Sequence, residues 1–162
     1  MQGAERIFVG LGANLGDAAA TLRDALVQLN ALPQTALVAA SALYRSAPVD
    51  ADGPDFINAV AELRSALEPG ELLAQLHAIE RRFLRERPYR NAPRTLDLDL
   101  LIHGQRTCAT PMLTLPHPRL HQRAFVLAPL AELAPDWRFA DGRKAAEILA
   151  GLPPQRIERM AP

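Results

Sequence analysis

Two aspartates two residues apart, Asp97 and Asp99 in the run Arg94-Thr95-Leu96-Asp97-Leu98-Asp99, are the part of this sequence best suited to chemistry. Alternate side chains of a β-strand share a face, so both carboxylates meet the same space while Leu98 points into the opposite layer. Leu96, Leu98, Leu100 and Leu101 mark the strand as buried on one side. Two carboxylates on its other side repel each other unless a cation sits between them. Oxygen donors of this kind suit magnesium, which keeps several waters and completes its shell with substrate phosphates. Asp97 and Asp99 are therefore expected to hold divalent metal for a phosphoryl-type transfer from a nucleotide.

Immediately upstream, residues 85–94 hold Arg85, Arg87, Arg90 and Arg94, broken by Pro88 and Pro93. A guanidinium grips phosphate oxygens in pairs, and phosphoryl transfer is catalysed mostly by positioning and by neutralising charge on those oxygens. Metal on one side and arginines on the other would cradle a polyphosphate. No Gly-x-x-x-x-Gly-Lys-Ser/Thr is present, which excludes a P-loop enzyme. The segment Gly10-Leu11-Gly12-Ala13-Asn14-Leu15-Gly16 lacks dinucleotide-fingerprint spacing and reads as a turn.

The elements that must position these residues are legible in the periodicity. Arg6 to Leu11 is β-prone. Ala18 to Leu32 carries Leu22, Ala25, Leu26 and Leu29 at helical spacing and stops at Pro33. Leu37 to Tyr44 and Phe56 to Leu63 read as partner strands across a loop at 46–54. A second helix opens at Glu68-Pro69-Gly70-Glu71 and runs to about Phe83, with Leu72, Leu73, Leu76 and Ile79 as its apolar face. Thr95 to His103 is a strand, 104–118 is loop-like with a brief strand near Leu113, Arg123 to Leu133 is a helix interrupted by Pro129, and Arg143 to Leu149 is a short helix. Strand, helix, strand, strand, helix, strand predicts an α+β fold: a ferredoxin-like antiparallel sheet flanked by helices, an αβα sandwich. That topology hosts enzymes and RNA binders alike, so function must be argued from the site.

At 162 residues and 49% hydrophobic content the chain, 1–162, is expected to be one domain. Lysine plus arginine balances aspartate plus glutamate at 18 each, so no global charge draws it to nucleic acid or membrane. All of its cations but Lys144 are arginine. Cys108 is the single cysteine, which excludes an internal disulfide and fits a reducing compartment. With neither a signal-peptide pattern nor a run of roughly 20 apolar residues, a cytoplasmic protein is expected.

The sequence resembles the 6-hydroxymethyl-7,8-dihydropterin pyrophosphokinase family along nearly its whole length. Pro93-Arg94-Thr95-Leu96-Asp97-Leu98-Asp99 matches the family signature and Gly12-Ala13-Asn14-Leu15-Gly16 resembles its N-terminal motif. Tyr44-Arg45-Ser46-Ala47-Pro48 and Pro54-Asp55-Phe56-Ile57-Asn58 look like its pterin-side segments; Leu115-Pro116-His117 and Arg123-Ala124-Phe125 are similar to its C-terminal contacts. The resemblance implies transfer of the β,γ-pyrophosphoryl unit of ATP to the hydroxymethyl oxygen of the dihydropterin, with AMP released and two Mg2+ ions held by Asp97 and Asp99. It further implies Arg85 and Arg94 as catalytic arginines, with Glu80, Arg87, His117 and Arg123 on the nucleotide. Ser46, Val49, Phe56, Asn58 and Phe125 would form the pterin pocket. On residue type alone, Phe56 and Phe125 read first as core and Asn58 as a turn residue serving the backbone. His77, His103 and His121 read as structural or exposed, and Trp137 as packing. Leu84, Asn91 and Ala92 depart from the family's common residues around the arginine loop, as do Met112 and Pro118 at positions where some members contact ATP.

Two other functions compete. An RNA-binding module would use the basic loop on phosphates, but 5% aromatic residues leave few platforms on which bases could stack. A metal-dependent phosphohydrolase would use the same aspartates with water as acceptor. A monomer acting on ATP and a dihydropterin, with no nucleic-acid or membrane partner, is the expected enzyme.

Overall fold

The computed structural model describes residues 5–48, 53–84 and 96–161. Its elements run β1 (Glu5–Ala13), α1 (Ala18–Asn30), β2 (Thr35–Ala40), β3 (Tyr44–Ser46), β4 (Phe56–Ser65), α2 (Pro69–Leu84) and β5 (Asp97–His103). A small hairpin of β6 (Cys108–Ala109) and β7 (Thr114–Leu115), then α3 (Ala124–Leu133), α4 (Ala145–Ala150) and β8 (Ile157–Arg159) complete it. The main sheet has the order β5-β1-β4-β3-β8, with β2 also on β4, and every pairing is antiparallel.

Side-chain alternation explains the layers. On β1, Ile7, Val9, Leu11 and Ala13 point to one face and meet Leu22 and Leu29 of α1 and Leu72, Leu76 and Ile79 of α2. Phe8 points to the other and meets Val60, Leu101 and Ile102 beside Val126, Leu127 and Leu130 of α3 and Ile148 of α4. Burying each leucine or isoleucine contributes roughly 1.5–3 kcal/mol relative to exposure. The sheet is thus covered on both faces, as an αβα sandwich requires. Asp17 starts α1, its side chain accepting the backbone N–H of Ala20 at 3.1 Å.

Three expectations shift. The strand read over 37–44 is two strands: the Ser41 hydroxyl accepts the Val60 N–H at 3.0 Å, and the β2–β4 register slips between Leu37 and Ala39. β3 therefore pairs separately with the first residues of β4, setting Ser46 opposite Phe56 and Tyr44 opposite Asn58. Pro129 lies within α3 without ending it. The roughly 3 kcal/mol that an interior proline costs is offset by burial of Val126, Leu127, Pro129 and Leu130 against the sheet. Finally, β8 lies outside β3, a three-residue strand too short and polar to have shown a period.

Candidate active site

The candidate site lies on the sheet face beneath α3, and it begins with an absence of side chains. Gly10 and Gly12 alternate with Val9, Leu11 and Ala13 on β1, so the glycines fall on the α3 side and leave a bare floor. The β1–β5 register pairs Gly12 with Asp97 and Gly10 with Asp99, and the β1–β4 register pairs Gly12 with Asn58. A Cβ on Gly12 would lie 3.4 Å from Asn58 Oδ1. The glycine-rich segment, read as a turn, is thus strand for its first half, and its glycines are site residues that sequence reasoning missed. Their signal was the same spacing of two that marks the aspartates.

Over this floor lies a cavity of about 230 Å3, bordered by Asp97, Asp99, Ser46, Phe56, Asn58 and Phe125, with Arg123 at its rim. Ser46 and Asn58 are buried, at 5% and 4% exposure. Asn58 Nδ2 donates to Ser46 Oγ at 2.8 Å and to the Tyr44 carbonyl at 3.4 Å. Both amide hydrogens are engaged, which leaves Asn58 Oδ1 to accept from a ligand and the Ser46 O–H to donate to one. Phe56 enters from β4 and Phe125 from α3, both half-buried and both on the cavity. Arg123, at the start of α3, lies 5.5 Å from the Phe125 ring centre.

A second cavity, of about 290 Å3, opens on the other side of Asp99. Leu98 and Asp99 of β5, Leu73 and His77 of α2, and His117 border it, and so do Met112 and Pro118. His117 is held by its own backbone N–H to the Leu101 carbonyl at 2.9 Å. Burial pushes its imidazole below the ordinary histidine range, and Arg123 and Arg119 add to this against the opposing pull of Asp99. His77, expected to be structural or exposed, is part-buried on α2 one turn beyond Leu73 and lines this cavity as well.

The remaining assignments fall elsewhere. Glu80, expected at the nucleotide, borders neither cavity; it is buried on α2 and accepts the Leu98 N–H. Arg85, Arg87, Arg94 and Val49 lie outside the described residues. His103 is structural as expected, with Nδ1 2.9 Å from Glu5 Oε2 and Nε2 3.0 Å from the Leu67 carbonyl oxygen. Trp137 packs edge-on to Phe8.

Among the described residues no third carboxylate, histidine or cysteine joins Asp97 and Asp99 in a metal-binding cluster. Two oxygen donors, both on the first cavity and one of them also on the second, fit an ion that draws its other ligands from water and substrate, as Mg2+ does, and do not fit a structural zinc site.

Two cavities that share Asp99, one of them also bordered by Asp97, are an arrangement suited to an enzyme that joins two substrates. A family profile for 7,8-dihydro-6-hydroxymethylpterin-pyrophosphokinase matches residues 8–135, and the chain belongs to that family. It is 47% identical over 157 residues to the 2-amino-4-hydroxy-6-hydroxymethyldihydropteridine pyrophosphokinase of Pseudomonas aeruginosa, covering 96% of this chain and 97% of the relative. The Bacillus subtilis protein of the same name is 39% identical over 127 residues, 78% of this chain and 76% of the relative. Among solved structures, Plasmodium falciparum HPPK-DHPS wild type superposes with a TM-score of 0.70 at 12% identity. That match covers 91% of this chain and 41% of the other, so the chain spans less than half of that protein and the likeness concerns the fold.

Proposed function

We propose that the cavity over Gly10 and Gly12 holds the dihydropterin, that the cavity at His117 holds ATP, and that Asp97 and Asp99 lie between them at the reacting atoms. The family's reaction is transfer of pyrophosphate from ATP to the hydroxymethyl group of 6-hydroxymethyl-7,8-dihydropterin, a step of folate biosynthesis. The hydroxymethyl oxygen bonds to the β-phosphorus and gives up its proton to solvent, the bond from that phosphorus to the oxygen shared with the α-phosphate breaks, and AMP leaves. The single observation that carries the site assignment is that Asp99 borders both cavities. Among the described residues Asp99 is the one that the two cavities share, so a group reaching the first from Asn58 and one reaching the second from His117 would meet there.

The chain's own residues suit these roles. Asn58 Oδ1 accepts from the amino or ring N–H groups of the pterin, Ser46 donates to its acceptor edge, and Phe56 and Phe125 supply flat apolar surface for its ring. His117, neutral at physiological pH, donates Nε2–H to phosphate. Arg123, with Arg85, Arg87 and Arg94 of the adjoining segment, neutralises charge on the polyphosphate as the bond to AMP breaks. By the family resemblance Val49 is assigned to the pterin as well. Two Mg2+ ions held by Asp97 and Asp99 would supply charge neutralisation on the phosphates and orientation of the attacking hydroxyl. The reading is of one catalytic domain spanning 1–162, working as a monomer in the cytoplasm on diffusible substrates; no described helix is long and apolar enough to cross a membrane.

Incubation with ATP, Mg2+ and 6-hydroxymethyl-7,8-dihydropterin, followed by identification of the nucleotide product, tests this directly. AMP should appear only when pterin is present. Pterin-independent cleavage would make the protein a phosphohydrolase, and ADP would indicate ordinary single-phosphate transfer. Absence of any product would leave a binding module and sink the proposal.

A further inference from the structure

Glu80 has no surface of its own on either cavity, yet it touches the strand that carries the chemistry. It lies on α2 with 9% of its surface exposed, and its Oε2 accepts the backbone N–H of Leu98 at 2.8 Å. Leu98 is the residue between Asp97 and Asp99. β5 is the terminal strand of the sheet, with β1 as its strand partner. In the ladder Leu98 stands opposite Leu11, while the flanking aspartates stand opposite Gly12 and Gly10. The Leu98 N–H is directed away from β1 and toward α2, where no strand continues the sheet among the described residues.

A backbone N–H buried at a sheet edge needs an acceptor, and a carboxylate is the strongest one a side chain can offer. The same hydrogen bond gives the buried carboxylate a partner that burial demands. Its mechanical consequence is local: with β1 gripping one edge of β5 and Glu80 the other, the pleat at residues 97–99 is fixed, and so is the direction of the two carboxylates. On β1, Gly12 and Gly10 opposite the two aspartates offer no side chain to pack against them.

We propose that Glu80 is a positioning residue for the carboxylate pair, aligning Asp97 and Asp99 for metal binding through the Leu98 N–H and not through contact with nucleotide. This rests on the reading of Asp97 and Asp99 as metal ligands. Groups that orient metal ligands without touching the ion are about as consequential as weak ligands, typically costing ten- to a hundredfold in affinity when removed.

The test uses the full chain, with Mn2+ as the probe, bound metal read by electron paramagnetic resonance and the Leu98 amide read by hydrogen exchange. Glu80→Met fills the same buried volume without an acceptor, and Glu80→Gln keeps one. Expected are a loss of about tenfold in Mn2+ affinity and faster Leu98 exchange in Glu80→Met, near-wild-type values in Glu80→Gln, and unchanged affinity of both for ATP in the absence of metal. Mn2+ binding by Glu80→Met equal to wild type would overturn the proposal. So would an equal loss in Glu80→Gln, or a fall in metal-free ATP affinity, which would mark Glu80 as a nucleotide contact. Asp97→Asn separates the two readings: if it binds Mn2+ as wild type does, the metal assignment itself fails, whatever Glu80 does.

Discussion

The backbone N–H of Arg119 donates to Nδ1 of His117 at 3.2 Å. That hydrogen bond makes Nδ1 an acceptor, so a neutral His117 carries its proton on Nε2. Burial, which lowers the pKa below its ordinary 6.5, keeps the ring neutral and the Nε2–H available to a phosphate oxygen. His117→Ala should raise KM for ATP by about tenfold, the loss of one hydrogen bond to a charged group, and leave KM for the pterin unchanged. A KM change confined to the pterin would reverse the assignment of the two cavities. The sign of the pH effect on stability follows as well. The folded pKa is depressed, so the unfolded chain binds the proton more readily; stability from this group is full above about 6.5 and declines as pH falls below it. Thermal melts of wild type and His117→Ala at pH 7.5 and 5.5 should show a smaller acid loss in the variant.

The bare floor gives a sharper steric test. A Cβ at Gly12 meets Asn58 Oδ1 at 3.4 Å, and the branched side chain of Gly12→Val would occupy the space above the strand. The β-backbone accepts valine well, so the fold should persist. We expect kcat/KM for the pterin to fall by about a hundredfold, as for misplacement of a reacting group by an ångström, with metal-free ATP affinity intact. Isothermal titration with each substrate separately measures both halves of this outcome.

Sequence periodicity located β1, α1, β4, α2 and β5 because each is long enough to show a two- or 3.6-residue pattern. It joined β2 to β3, since the break depends on the Ser41 hydroxyl reaching Val60, a contact 19 residues away in the chain. β8 was invisible for its length. Within the site, Asp97 and Asp99 were legible from charge and alternation alone. Asn58 was not, because nothing local says that its amide will meet Ser46; only the resemblance singled it out. Gly10 and Gly12 were misread since glycine before a helix is more commonly a turn than a floor. Glu80 carried the opposite lesson: the resemblance marked the position, and the structure gives it a backbone partner on β5.

Tyr44 ties the strand that carries Ser46 to α3. Its hydroxyl donates to Glu132 Oε1 at 2.5 Å, and Glu132 Oε2 accepts the Ala42 N–H at 2.9 Å while Arg159 Nε reaches Oε1 at 3.0 Å. Burial and the Glu132 carboxylate raise the tyrosine to about 12. For Glu132, burial pushes upward but the hydrogen bonds from Tyr44, Ala42 and Arg159 outweigh it and leave the carboxyl below 4.5. A depressed folded value gives stability that is complete above the unfolded pKa and is lost as pH drops through the folded one. Tyr44→Phe should cost about 1 kcal/mol and shift the acid unfolding midpoint upward. Urea melts from pH 7 to 3 check both; an acid midpoint identical to wild type would remove this network from the account of acid stability.

Asp97 and Asp99 place two carboxylates on one strand face with no side chain opposite them on β1, where their partners are glycines. Such a pair suits a cation, because like charges at this spacing repel each other. Asp99→Asn keeps the shape and removes one charge, so its metal-free melting temperature should equal or exceed that of wild type. Loading reverses the comparison. A ligand at a hundred times its dissociation constant stabilises the folded state by about 2.7 kcal/mol, and wild type should gain this from Mg2+ with a non-hydrolysable ATP analogue. Asp99→Asn should gain little, and Asp99→Asn and Asp97→Ala should both lose AMP formation while remaining folded by circular dichroism. The crossing of the two melting curves on addition of metal and nucleotide is the diagnostic, since a purely structural aspartate would lower the melting temperature in both conditions alike.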